Sequence, residues 1–307
     1  MSSNKKSTGL AVLALALMSL IWGYNWIIMK EALKYCSAFD FAAMRTFFGA
    51  LVLFSFLVTT GRNLRPQQVP LTALLGLLTT TGCVGLSTWA LETGGAGKTA
   101  VLVYAMPFWL LLLSRPLLGE RIGWIQRVAV ALALIGLVAI LEPWHTDGSV
   151  QGSLLAVSSG ISWAGGAVAL KIIHRRARDF DLISVTTWQL FFGSLPLVAV
   201  ALVAPDRPID WTPYLAGAVL FNIVFTSIVA LLLWFYSLRE LPAGIAGMGT
   251  LATPVIGVVA AAVQLGESPS LWEFSGMTLI MAGLVLITLP GLLRYRRLRD
   301  IITGGST

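Results

Sequence analysis

Long apolar runs alternate with short polar connections along nearly the whole chain. Ten such runs, each of roughly 17–23 residues, fall near 9–29, 38–59, 71–91, 98–114, 122–141, 153–171, 182–203, 214–237, 243–264 and 272–290. About 20 apolar residues in a helix cross the ~30 Å of bilayer hydrocarbon. The runs lack period-2 alternation and are about twice the length of a membrane β-strand, so they predict helices rather than a barrel. Connections of about 5–12 residues leave no room for a soluble domain. The pattern predicts an all-α membrane protein with ten transmembrane helices.

The pattern also repeats. Adding 141 carries Trp22 onto Trp163, Lys30 onto Lys171, Phe39 onto Phe180 and Asp40 onto Asp181. Further along, adding 147 carries Pro107 onto Pro254, Gly119-Glu120 onto Gly266-Glu267, Gly136 onto Gly283 and Pro143 onto Pro290. Residues 1–146 and 147–307 therefore read as two copies of five runs each, the second ending in a basic tail. A chain that crosses a bilayer five times finishes on the far side, so the second copy is expected to run inverted relative to the first. Two inverted five-helix repeats are an architecture of secondary transporters, whose solute site lies between the halves near the midplane.

Composition agrees with a membrane domain. The 307 residues are 57% hydrophobic and only 11% charged, against about 25% charged in soluble domains. If the spans alternate, sixteen Lys and Arg fall on the side of the N terminus and four (Lys30, Lys34, Lys98 and Arg207) on the other. The positive-inside rule then places both termini in the cytoplasm. The net charge of +7 reports topology and contact with the anionic headgroups of the lipid bilayer, not nucleic acid. The cluster at His174–Arg178 reads as a cytoplasmic turn. The first run follows Lys5 and Lys6 like a signal peptide, but it continues past Trp22 and Trp26 and matches the sixth run, so it is expected to be retained. Cys36 and Cys83 read as unpaired thiols.

No motif for catalysis, metal or cofactor emerges. Glu92–Thr99 resembles a phosphate loop, yet Glu92 stands where that motif needs Gly and no strand precedes it; the segment reads as a helix–helix turn, and no nucleotide is expected. Gly160-Ile161-Ser162-Trp163-Ala164 ends in Ala where a nucleophile elbow needs Gly, and His145 and His174 lie in loops. The fourteen carboxylates all fall at or near span ends, which argues against a deep carboxylate relay. Glu92 and Lys98, flanking the outer turn, are the candidates for a mouth or coupling role.

Arg45 is the basic residue clearly inside a span. Arg at membrane depth costs at least ~2.5 kcal/mol at the centre, so it either snorkels, pairs with Asp40, or forms a cationic wall for a substrate carboxylate. Its counterpart in the second copy is the neutral Gln189. Trp22 and Trp163 fall near mid-span and are approached from opposite sides by an inverted axis. Each either packs or lines a cavity. Pro107 and Pro254 also lie mid-span, where a missing N–H kinks a helix and provides a hinge. Asn25, Thr79–Thr81, Trp89, Tyr104, Ser158, Ser159, Ser162, Asn222, Thr226, Thr250 and Thr253 accompany them. Singly, such hydroxyls often bond their own helix; together they give a neutral, aromatic interior suited to small amphipathic or zwitterionic solutes. Trp22, Asn25, Arg45, Trp89, Tyr104, Trp163 and Asn222 are the expected substrate contacts.

Trp22-Gly23-Tyr24-Asn25-Trp26 with Lys30, then Arg45, Pro107, Leu118-Gly119-Glu120-Arg121 and Gly136, resemble the first half of a drug/metabolite transporter of the EamA type. Trp163, Lys171, Gln189, Gly193, Pro254, Leu265-Gly266-Glu267, Gly276 and Gly283 resemble its second half. The resemblance spans about residues 10–290. It implies ten helices, cytoplasmic termini, a central cavity between the halves, and export of amino acids or related metabolites across a bacterial inner membrane by alternating access. A monomer suffices for this. Import, a sugar-type carrier of the same superfamily, and a non-transporting scaffold or sensor are the alternative readings.

Overall fold

The computed structural model of the chain describes residues 2–119, 123–141, 150–176, 181–203, 207–230, 233 and 243–286. His145, Glu120 and Arg239 lie outside them. The described residues form helices joined by short turns, with no strand among them.

In chain order the helices are α1 (Ser2–Ala32), α2 (Ala38–Thr59), α3 (Val69–Thr93), α4 (Ala96–Val103), α5 (Met106–Leu118), α6 (Trp124–Leu141), α7 (Val150–Arg176), α8 (Leu182–Val203), α9 (Pro213–Val229), α10 (Ala243–Gln264) and α11 (Leu271–Leu286). Among the described residues seven spans are long and apolar enough to cross a membrane: Leu13–Ala32 within α1, then α2, α3, α4 with α5, α6, Val150–Ile173 within α7, and α8. Shorter apolar helical stretches cover Pro213–Val229, Ala252–Gln264 and Leu271–Leu286.

Local chemistry sets the ends. Ser37 caps α2: its hydroxyl accepts from Asp40 N at 3.1 Å, satisfying one free amide of the first turn, and donates to Asp40 Oδ2 at 2.7 Å. Thr212 caps α9 through Leu215 N, and Pro213 follows at the first helical position, where a missing N–H costs nothing. Span four is broken rather than bent. α4 ends at Val103, Tyr104 and Ala105 form a turn, and Pro107 sits in the first turn of α5. Pro254 instead stays inside α10.

Two spans widen internally into π-helix. Leu77–Gly85 does so within α3 and Asn222–Val229 within α9. These stretches hold equivalent places in the two sequence copies. Widened turns shift the register of the side chains and loosen the carbonyl ladder, and they recur at functional sites.

Contacts fix the direction of α7 against α1. Lys30, near the end of α1, donates to Leu91 O and to Gly94 O at the end of α3. Ile173, near the end of α7, packs instead with Leu75 near the start of α3. So α1 runs along α3 and α7 runs against it. α2 and α8 are likewise antiparallel: Phe54 meets Trp188 edge-on at 4.9 Å, while Ala42 and Ala43 pack with Leu197.

Without a hydrophobic drive between helices in lipid, close approach of small residues holds such bundles together. α3 crosses α8 at Gly76 and Gly193. A Cβ on Gly76 would stand 2.3 Å from Gln189 O, and one on Gly193 2.2 Å from Gly76 O, so neither site admits a larger residue without movement.

Candidate functional site

Between the two sets of helices lies a cavity of about 290 Å³. This is at the small end of the range for small-molecule pockets, roughly 300–1,000 Å³. α1 supplies Trp22, Asn25, Trp26 and Met29; α2 supplies Arg45 and Thr46; α3 supplies Thr79, Thr80, Cys83, Val84 and Ser87. Val103 and Tyr104 come from the break in span four, Trp163 from α7, Thr186, Gln189 and Leu190 from α8, and Thr226 and Ser227 from α9. The walls are thus drawn from both copies.

One wall is aromatic. Tyr104 stands between Trp26 and Trp163, with centroids 6.4 Å and 5.4 Å away and planes at 71° and 85°. These are edge-to-face contacts, each worth about 0.5–1.5 kcal/mol beyond burial. Tyr104 stands at the helix break, where it closes α4.

The π-helical stretches form much of the polar lining, and their carbonyls accept from neighbouring helices. Trp22 Nε1 donates to Thr226 O at 3.1 Å, Ser159 Oγ to Cys83 O at 2.8 Å and Ser162 Oγ to Leu78 O at 2.8 Å. Thr79 Oγ1 donates to Gln189 Oε1 at 2.5 Å, and Thr81 Oγ1 to Gly193 O at 2.6 Å. These bonds join the copies.

Two polar atoms of the lining residues are left over. Asn25 Oδ1 and Arg45 Nε are buried without a hydrogen-bond partner. The Arg45 Nη1 group lies against Met29 Sδ, and no carboxylate pairs with the guanidinium among the described residues. Asp40, the partner considered from the sequence, is instead occupied in the Ser37 cap. Arg45 is the single charged side chain among the lining residues.

Of the expected contacts, Trp22, Asn25, Arg45, Tyr104 and Trp163 lie on this cavity, and Trp89 and Asn222 lie off it. Trp89 packs on Phe39 at 5.6 Å. Asn222 is fully buried and turns back on its own helix, donating from Nδ2 to Ala218 O at 3.0 Å. Trp26, Cys83, Thr186 and Ser227 were not expected there. Their signal was weak, because apolar and hydroxyl residues are common throughout a membrane helix.

Glu92 and Lys98 lie at one face of the bundle, in a polar network that spans its turns. Glu92 Oε1 accepts from Ala38 N at 2.8 Å and lies 3.9 Å from Arg207 Nη2. Arg207 also donates to Leu33 O and Cys36 O, and Asp210 N to Tyr35 O at 2.8 Å. Glu267 caps α4, accepting from Ala96 N at 2.6 Å and Gly97 N at 3.1 Å, where a helix N-terminus favours a carboxylate. Lys98 pairs with Glu273 at 2.7 Å. Cys36 is enclosed among these turns; burial first, then the nearby Asp40 charge, push its thiol up to about 12. At the opposite face, the ion pair between described residues is Arg62 with Asp181 at 3.3 Å, and it is largely exposed, a kind worth under about 1 kcal/mol.

The EamA-like transporter family matches residues 9–142 and 150–289. An uncharacterized transporter of Bacillus subtilis, YoaV, is 28% identical over 283 residues, covering 90% of this chain and 96% of the relative. A probable amino-acid metabolite efflux pump of Salmonella typhimurium is 27% identical over 288 residues, covering 88% and 92%. One solved crystal structure shares the fold at 19% identity, with a TM-score of 0.62 over 94% of this chain and 98% of the other.

Proposed function

The chain belongs to the EamA-like transporter family, and from that premise we propose that it carries a small amphipathic metabolite, an amino acid or a related solute, through the central cavity by alternating access. Membership makes it a multi-pass membrane transporter rather than an enzyme. The observation that carries the finer reading is the cavity itself, walled by both copies and lined by aromatic rings, hydroxyls, two amides and one guanidinium. Rings suit an apolar side chain, Arg45 a carboxylate, and Asn25 Oδ1 an ammonium donor. A phosphorylated sugar would call for more basic residues at depth.

Ten helices in two inverted repeats fit the antiparallel course of α1 and α7 and the matching π-helical stretches of α3 and α9. Alternating access is supported by a cavity walled by both copies. A polar network around Glu92, Glu267 and Arg207 ties the turns of one face; the other carries the Arg62–Asp181 pair and the bond from Trp188 Nε1 to Leu64 O at 2.9 Å. With sixteen basic residues against four, the positive-inside rule assigns the face of residues 61–68 and 181 to the cytoplasm of a bacterial inner membrane. The proposed direction is outward, in line with the relative named as an efflux pump.

The test is a screen of toxic amino-acid analogues on cells expressing the protein, followed by efflux of the traced amino acid from those cells. The proposal expects tolerance to at least one analogue, lost with Trp163→Ala and Trp22→Ala at equal membrane levels. Tolerance and efflux unchanged in both variants would remove the cavity from the path.

A further inference from the structure

Arginine keeps its proton in proteins, so the charge on Arg45 is permanent. Its Nε is buried and unbonded, its Nη1 faces the thioether of Met29, and no carboxylate lies opposite among the described residues. While the cavity is open to one face, water can solvate the guanidinium. To change faces the cavity must close at both ends, and the charge then loses that solvation with no counter-charge among the described residues. A buried ion stripped of its partner is strongly unfavourable.

A bound carboxylate removes the problem, because it pairs with the guanidinium in the geometry both groups prefer. The loaded carrier can therefore close, whereas the empty carrier meets an added barrier. We infer that Arg45 makes this protein an exchanger: it changes faces with a monocarboxylate bound and is slow to return empty, so outward movement of one carboxylate is tied to inward movement of another.

The inference rests on the cavity being the solute site, and it differs from that reading in what it forbids. A simple facilitator with the same cavity would release solute into an empty compartment as quickly as into a filled one. A proton-coupled pump would follow the proton gradient. An exchanger requires carboxylate on both sides. A small inorganic anion could also pair with Arg45, and the assay separates that source.

The experiment uses the full chain in sealed proteoliposomes loaded with an equimolar mixture of the twenty amino acids, each traced in turn, in sulfate medium. Loss of tracer is measured into medium with and without the same mixture. Exchange should exceed net efflux by at least about tenfold, the ratio that ~1.4 kcal/mol in the reorientation barrier produces. Arg45→Gln should narrow this ratio toward one by speeding release of tracer into empty medium, since its empty cavity holds no charge to compensate. Equal rates with and without external mixture in the wild type would overturn the inference and leave transport intact. Net efflux restored by external chloride alone would also overturn it, by making chloride the compensating anion. Absence of both exchange and efflux for every tracer would overturn the proposed solute class, and the inference with it.

Discussion

The ring of Tyr104 meets that of Trp163 edge-on, with centroids 5.4 Å apart and planes at 85°. Tyr104 belongs to the first copy and Trp163 to the second, so the contact crosses the seam that encloses the cavity. Trp163→Ala removes this contact, worth about 0.5–1.5 kcal/mol, together with a wall of the site. The apparent KM for a transported amino acid should rise about three- to tenfold, and Trp163→Phe should recover most of it. Equal KM values for Trp163→Ala and the wild type would remove this ring from the solute site.

The crossing of α3 and α8 leaves no room for a methyl group. Gly76→Ala and Gly193→Ala each drive a Cβ into backbone oxygen of the other helix, and overpacking of this kind costs about 1–3 kcal/mol. Thermal unfolding in detergent should fall by several degrees for either. Gly217→Ala, with nothing within 4 Å of the added carbon, should not lower it. A matched loss in all three would mean that the crossing is not what the glycines serve.

Glu267 fastens one face by capping α4, and a side-chain cap of this sort contributes about 0.5–2 kcal/mol. Glu267→Ala should loosen that face. In sealed vesicles, a membrane-impermeant thiol reagent added from the side of residues 94–95 should label Cys83 faster in Glu267→Ala than in the wild type. Unchanged labelling would show that the cap does not control access.

Much of this architecture is legible in sequence because lipid permits few solutions. Spans must be long and apolar, so the all-helical membrane build and the mid-span positions of Trp22, Arg45 and Trp163 stand out. Depth, however, is not facing. Trp89 and Asn222 have suitable depth but lie off the cavity, Trp89 against Phe39 and Asn222 bonded to Ala218 O, and the π-helical turns of α3 and α9 interrupt the register on which a regular helical projection depends. Glu267 was visible as half of a repeated Leu-Gly-Glu motif. Its role depends on the amides of Ala96 and Gly97, about 170 residues earlier, and on Gly266 turning the chain at φ +66°. Nothing local in the sequence records that pairing.

Cys36 supplies a pH signature. Burial and Asp40 raise its thiol to about 12 from an ordinary 9.0, so the native state favours the neutral form. Its contribution to stability is complete below the ordinary value and is lost as pH climbs through about 12. Cys36→Ala should therefore lose thermal stability less steeply than the wild type across that alkaline window. Parallel curves would contradict a buried neutral thiol.

Cys83 offers the most direct test of the cavity as the solute path. The chain has two cysteines; Cys36 is fully buried, while Cys83 faces the cavity. Flux of a traced amino-acid mixture through proteoliposomes is measured before and after a bulky thiol reagent has modified Cys83. The cavity reading predicts that flux stops in step with modification, and that Cys83→Ser, whatever its own rate, is insensitive to the reagent. Undiminished flux through protein fully modified at Cys83 would contradict it.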